Sequence, residues 1–389
     1  MKKFQHVDAL RGIAVLLVVL VHCGQQAPPE QVFSQISRFG QYGVQLFFVM
    51  SAFTLCHSMK KTEELNPREY LSFMTRRFFR IAPLYYLAIP GYFVFSYLCL
   101  RYIGRTPFTL PADYSFMAVA ANVLFLHGLY PPGNNSIVPG GWSIGTEFLF
   151  YAVFPFLFIL SRRNRLHIGY AALVSLLATI FLVFIRWKIG KTGEIGMNDF
   201  IRFSVFNQFP CFALGMLYYF YSKNRSFERA VKILAPISAV FLVVPHNWQS
   251  EMIFTPFCVG ICSVGLALVL ENSRIPHLIA RIGQLSFSIY ILHFIPVFLV
   301  GKLYKLYFPV HFKSELVSIL MFAAIAGITY LMAMISNRFV ELPCIAIGHS
   351  FSSRFHPREP AQQPQTTTVA EADVAQPLPR PVVEPGPQP

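Results

Sequence analysis

His22 follows Arg11 by eleven residues, and every position from Ile13 to Val21 is Ile, Ala, Val or Leu. At ~100° per residue those eleven steps end about 20° beyond three full turns, so both groups fall on one helical stripe, with Asp8 close to it. Along the axis they stand roughly 16 Å apart. An imidazole is suited to general-base or nucleophilic work near neutral pH. Inside hydrocarbon it must face protein or a water-filled cavity, because lipid does not solvate it. The competing reading is a structural histidine bonded to a neighbouring helix.

Two further stripes carry polar groups. Ser143, Glu147 and Tyr151 are spaced four apart in Trp142-Ser-Ile-Gly-Thr-Glu-Phe-Leu-Phe-Tyr151, which places them on one helix face. A carboxylate about one turn into a membrane helix costs several kcal/mol unless paired. It therefore reads either as half of a structural salt bridge, with Arg11 for example, or as a group beside a histidine or a substrate hydroxyl. Ser286, Tyr290 and His293 form the third stripe, and hydroxyls of this kind also glue helices together. Arg76, Arg77 and Arg80 cluster just before Pro83. Such a cluster is either a positive-inside anchor or a phosphate clamp, since guanidinium forks bind phosphate oxygens in pairs.

The elements that must position these groups are membrane helices. The chain has 389 residues, 54% of them hydrophobic and 13% charged, with 40 Phe and a mean hydropathy of +0.50. A soluble domain carries about 25% charged residues, so the composition indicates an all-α, polytopic membrane protein. In that setting the net charge of +14 is a property of loops and not a nucleic-acid footprint. The seven cysteines lie mostly in apolar segments and lack metal-ligand spacing, so neither a metal site nor a disulfide is expected.

Ten spanning helices are expected, near 8–25, 42–58, 83–100, 142–160, 167–185, 203–221, 231–245, 252–270, 282–300 and 315–336. Pro236 makes the one at 231–245 the weakest. The first reads as a retained helix, since no small-x-small site follows His22. Lys and Arg divide roughly two to one between alternate sides, which places the N-terminus inside and, with an even count, the C-terminus inside as well. The short apolar piece at 115–130 is expected to be re-entrant or interfacial on the outer side. Residues 1–350 thus form a transmembrane domain. Residues 351–389 read as a Pro-rich, disordered cytoplasmic tail with no catalytic part. No motif specifies an oligomeric state.

Taken in order, the motifs resemble those of the acyltransferase family 3 membrane proteins, ten-helix O-acyltransferases that modify bacterial surface glycans and related acceptors. The matching residues are Asp8-x-Leu10-Arg11-Gly12 with His22; Gly43-x-x-Leu46-Phe47-Phe48-x-x-Ser51-x-Phe53; and Phe73-x-x-Arg76-Arg77-x-x-Arg80-Ile81-x-Pro83. They continue with Trp142-Ser143 to Glu147 and Tyr151, Phe212-x-x-Gly215-Met216, Ser286-x-Ser288-x-Tyr290-x-x-His293 and Arg338-Phe-Val-Glu341-x-Pro343. Ala52 stands where the family commonly has Gly, and no counterpart of the family's frequent extracytoplasmic C-terminal domain is expected in residues 351–389.

The resemblance implies transfer of an acyl group, acetyl foremost, from cytoplasmic acyl-CoA to a hydroxyl of a sugar or lipid-linked glycan in the bacterial inner membrane. Acetyl-CoA would be a substrate, with no permanently bound cofactor. On this reading His22 is the general base and Glu147 orients it or steadies its charged form. Arg76, Arg77 and Arg80 hold the donor's phosphates, and Arg11 fixes geometry or touches the donor. Ser143, Tyr151, Ser286, Tyr290 and His293 line the substrate path. The alternative is a transporter or flippase whose buried His and Glu relay protons or bind cargo.

Overall fold

The computed structural model describes residues 5–104, 114–189, 196–245, 247–307 and 314–355, and among these every regular element is a helix. Helix α1 (Gln5–Gly24) stands at the centre. It packs against α3 (Gly43–Ser58), α11 (Trp248–Glu271), α12 (His277–Gln284), α13 (Ser286–Leu292), α14 (Phe294–Tyr307) and α15 (Glu315–Ser336). The short α2 (Val32–Ser37) and a single turn at Arg38–Tyr42 lead into α3. The remaining long elements are α4 (Pro67–Ile103), α6 (Trp142–Arg163), α7 (Leu166–Ile189), α9 (Val205–Tyr221) and α10 (Arg225–Val243). The shorter α5 (Phe116–Val123), α8 (Gly196–Phe203) and α16 (Leu342–Ser353) complete the series.

Without a hydrophobic drive between helices in lipid, close packing depends on small residues. A Cβ at Gly12 would collide with the carbonyl of Ile279, and one at Gly283 with the carbonyl of Asp8, so α1 and α12 touch backbone to backbone. Ala52 is fully buried, and its methyl faces Gly215 on α9. The small residue missing from α3 is thus supplied by its neighbour.

Among the described residues, eight helices are long and apolar enough to cross a bilayer, and a ninth span arises if α13 and α14, bent by 50°, are counted together. The expected span at 231–245 is helical as α10, but it begins earlier and carries Arg225, Glu228, Arg229 and Lys232 in its first half. It therefore falls short of a span on composition. Exposed Leu173, Val174 and Phe181 on α7, with Leu316, Ile319 and Leu320 on α15, give those helices apolar outer faces suited to lipid.

Three local readings are corrected. The Arg76–Arg80 segment is not a loop before a helix starting at Pro83. It lies within α4, which Asn66 caps by accepting from the Glu69 N–H at 2.9 Å and which contains Pro83 and Pro90. A helix of 37 residues is ~55 Å long against a hydrocarbon core of ~30 Å, so its first turns project from the membrane. The 282–300 span is broken at His293, and Pro296, which has no N–H to give residue 292, is the cause. The tail boundary expected at 351 also moves: α16 continues to Ser353 against α4. The rest of the tail, 356–389, lies outside the described residues. Around 115–130 the chain forms α5 and two short turns, with Phe116, Met117 and Leu124 exposed and Ala118, Asn122 and His127 buried. That two-faced pattern suits an interfacial piece.

Candidate active site

Two chambers lie end to end inside the bundle and share Val44 and Tyr290. The larger, about 450 Å³, sits where α1 finishes and α3, α6 and α11 begin. His22 opens onto it, half-buried. The His22 Nδ1 lies 3.1 Å from the side-chain oxygen of Gln25. That carbonyl oxygen only accepts, so Nδ1 donates and Nε2 is left with its lone pair. The His293 ring is 5.3 Å from His22, centroid to centroid, and Phe294 is 4.5 Å from it. His293 sits at the α13–α14 break, fully buried, with Nδ1 donating to the Tyr290 carbonyl at 2.7 Å. Its Nε2 is buried with no hydrogen-bond partner among the described residues.

The rest of this outer chamber mixes apolar walls, Val18, Val21, Phe203 and Met252 among them, with neutral amides. Gln25, Gln41, Gln45, Asn135, Asn207 and Gln208 line it beside Trp142, and the pair Arg202–Glu251, 3.0 Å apart, neutralises its one cation and one carboxylate. The side-chain oxygens of Gln45 and Gln208 are buried and have no partner among the described residues. Orphaned amide oxygens of this kind suit a ligand that brings hydroxyl donors.

The inner chamber is narrow, about 80 Å³, and lies toward the end where α1 begins. Arg11, Arg77 and Arg80 line it with Glu147, Ser143, Tyr151 and Ser286. Arg11 donates to Thr54 at 3.1 Å. The Arg77 guanidinium lies 5.5 Å from the Phe73 ring and 5.9 Å from the Tyr151 ring, with its Nε buried and without a partner among the described residues. Glu147 accepts from Ser51 and from the Tyr151 hydroxyl, the latter at 2.5 Å. Glu341, nearby, accepts from Ser288. Three guanidiniums against one lining carboxylate leave a positive excess suited to an anion.

Two expectations change at this point. Glu147 does not orient His22: it lies in the inner chamber, bonded to Ser51 and Tyr151, and His293 and Phe294 are the groups beside His22. Arg76 faces away from both chambers and donates to Ser72 at 2.5 Å and Ser352 at 2.7 Å, tying α4 to α16. It is a helix clamp, whereas Arg77 and Arg80 face the cavity. Ser143, Tyr151, Ser286 and Tyr290 all line a chamber as their stripes require.

Between the chambers stands the Tyr290 side chain. Ser143 donates to its hydroxyl at 2.8 Å, and that hydroxyl donates to the Gly140 carbonyl at 2.8 Å. Gly140 takes φ +74°, and a Cβ there would stand 3.0 Å from the Tyr290 oxygen. Sequence reasoning missed the amide lining. A signal existed: Asn207-Gln208 interrupts an apolar helix, and Gln25 lies one turn beyond His22.

Comparison with known proteins gives the chemistry at the level of family. Residues 4–338 match the family model described as "Acyltransferase domain". BcsY of Komagataeibacter xylinus, assigned by its name to the membrane-bound transacylases, is 23% identical over 359 residues, 86% of this chain and 81% of that protein. Acyltransferase MdmB of Streptomyces mycarofaciens is 23% identical over 325 residues, covering 74% and 77%. Protein 2 in the picA locus of Rhizobium radiobacter is 29% identical over 163 residues, covering 39% and 81%. No solved structure matches the chain significantly. The transporter reading is therefore set aside, and the chain belongs to the acyltransferase 3 family of membrane enzymes that transfer acyl groups.

Proposed function

We propose that this enzyme takes an acyl group, acetyl foremost, from cytoplasmic acyl-CoA and delivers it to a hydroxyl of a sugar or lipid-linked glycan at the outer face of the bacterial inner membrane. The observation that carries the reading is the pair of chambers meeting at Tyr290, with guanidiniums in one and His22 in the other. With the N-terminus inside, as the Lys and Arg distribution favours, the guanidinium chamber faces the cytoplasm. Arg77 and Arg80 are then placed to hold donor phosphate, and Arg11 lies deeper along the same passage. The passage is too narrow for a nucleotide but suits an extended thioester arm, whose carbonyl would arrive at Tyr290.

In the outer chamber the acceptor hydroxyl donates its proton to His22 Nε2 as its oxygen attacks the thioester carbonyl carbon. The C–S bond breaks, and the thiolate takes up a proton as free CoA. The Gln25 contact leaves Nε2 with its lone pair, which serves this direct attack and equally serves a transient acyl-histidine. Neutral amides and Trp142 suit a polyhydroxylated acceptor, whose hydroxyls meet the orphaned oxygens of Gln45 and Gln208. Glu147 offsets part of the guanidinium charge and fixes Ser51 and Tyr151.

The test is thiol release from acetyl-CoA by the purified protein in nanodiscs with extracted cell-surface glycan, wild type beside His22→Ala. General-base catalysis is worth about 10²–10⁴-fold, so the variant should lose at least 99% of turnover. Near-normal turnover in folded variant would remove His22 from the mechanism.

A further inference from the structure

A third cavity of about 530 Å³ shares no lining residue with either chamber. It lies where α3, α6 and α9 end, and Lys60, Arg162, Arg165 and Lys223 converge on it. No carboxylate lines it, and among the described residues none of the four cations forms an ion pair. Basic residues at this end of a membrane bundle commonly extend into solvent as topology anchors. Lys60, Arg165 and Lys223 are exposed as well, but with half-buried Arg162 they line one cavity whose walls include Phe158, Tyr219 and Phe220.

The two arginines are held in place. Arg162 donates to the Thr62 carbonyl, Arg165 donates to the Arg162 carbonyl at 2.7 Å, and the Arg165 guanidinium lies 4.9 Å over the Phe220 ring. Each keeps further N–H donors unspent. Helix C-termini attract cations, which offers a simpler account of the cluster. However, three C-terminal ends amount to about half a negative charge each. Four cations against roughly one and a half negative charges leave a clear positive excess.

We propose that this cavity is a second anion site, which binds the phosphate of a phosphoester ligand at the same end of the bundle as the mouth of the guanidinium chamber. The phosphate belongs either to an anionic lipid headgroup or to a soluble phosphoester, and the two sources are separable. The probes are phosphatidylglycerol against phosphatidylcholine, scored as adducts by native mass spectrometry of the full-length protein, and sodium pyrophosphate, scored by titration calorimetry. The variant is Lys60→Gln/Lys223→Gln, with its melting temperature checked against wild type. Each lysine near an anionic phosphate contributes roughly a fivefold factor, so the pair should weaken binding about 25-fold.

Preferential phosphatidylglycerol adducts lost in the variant support the site with lipid as the source. Pyrophosphate binding weakened in the variant, without a lipid preference, supports it with a soluble source. Pyrophosphate also has access to the guanidinium chamber, so the difference between wild type and variant is the readout. If both probes bind the two proteins equally, or neither probe binds above its control, the proposal is overturned. Should the variant unfold, Arg165→Gln alone replaces it under the same criteria.

Discussion

Replacing Gln25 with Leu removes the acceptor that fixes the His22 ring. The bond is a single Nδ1–H···O contact of 3.1 Å at the chamber edge, where Gln25 is exposed. A hydrogen bond of this kind is worth ~1 kcal/mol net, about fivefold in rate if it is made in the transition state. Without it the neutral imidazole is shared between two tautomers, which removes roughly another factor of two from the form with Nε2 free. The expected loss is about tenfold in kcat. Donor KM should be unchanged, because Arg11 lies ~16 Å from His22 along α1. Gln25→Glu accepts the same proton and should recover kcat to within about threefold. Steady-state thiol release, with donor and acceptor varied separately, reads all three constants. A kcat within twofold of wild type for Gln25→Leu, in an enzyme that His22→Ala inactivates, would refute the orienting role.

Arg77→Ala should raise donor KM about 30-fold, the worth of a charge-assisted phosphate contact of ~2 kcal/mol. Arg76→Gln should instead lower the melting temperature in detergent, because its bonds go to Ser72 and Ser352, and should move donor KM far less than Arg77→Ala does. Equal KM effects would show that Arg76 also meets the donor. Gly283→Ala forces a methyl against the Asp8 carbonyl across the α1–α12 contact and should cost ~1–3 kcal/mol, read as a lower unfolding temperature. An unchanged temperature would mean that the contact yields without strain.

Much of this arrangement was legible in the chain. The stripe of Arg11 and His22 survives as one helix, and Ser143, Glu147 and Tyr151 share a face as their spacing of four requires. Periodicity reports which residues share a face of their own helix, not which neighbouring helix that face meets. Glu147 was therefore paired with the wrong partner, and His293 was read as part of the substrate path without its place beside His22. Pro83 misled in a different way: proline favours the first turn of a helix, but a bilayer-spanning helix tolerates it in the interior when packing against neighbours compensates. The amide lining of the outer chamber draws on the residue after α1, the turn before α3, α3 itself, α9 and the loop before α6, and no single segment contains enough of it to form a motif.

The central claim is that donor and acceptor enter from opposite ends and meet at Tyr290. Purified enzyme in sealed proteoliposomes of one orientation, fixed by protease protection of the C-terminal tail, tests it directly. Labelled acetyl-CoA is supplied at the face bearing the Arg77 chamber and glycan acceptor is confined to the other. Label appearing on the acceptor across the intact membrane, dependent on His22, is the predicted result. Label transferred only when donor and acceptor share one compartment would contradict the account.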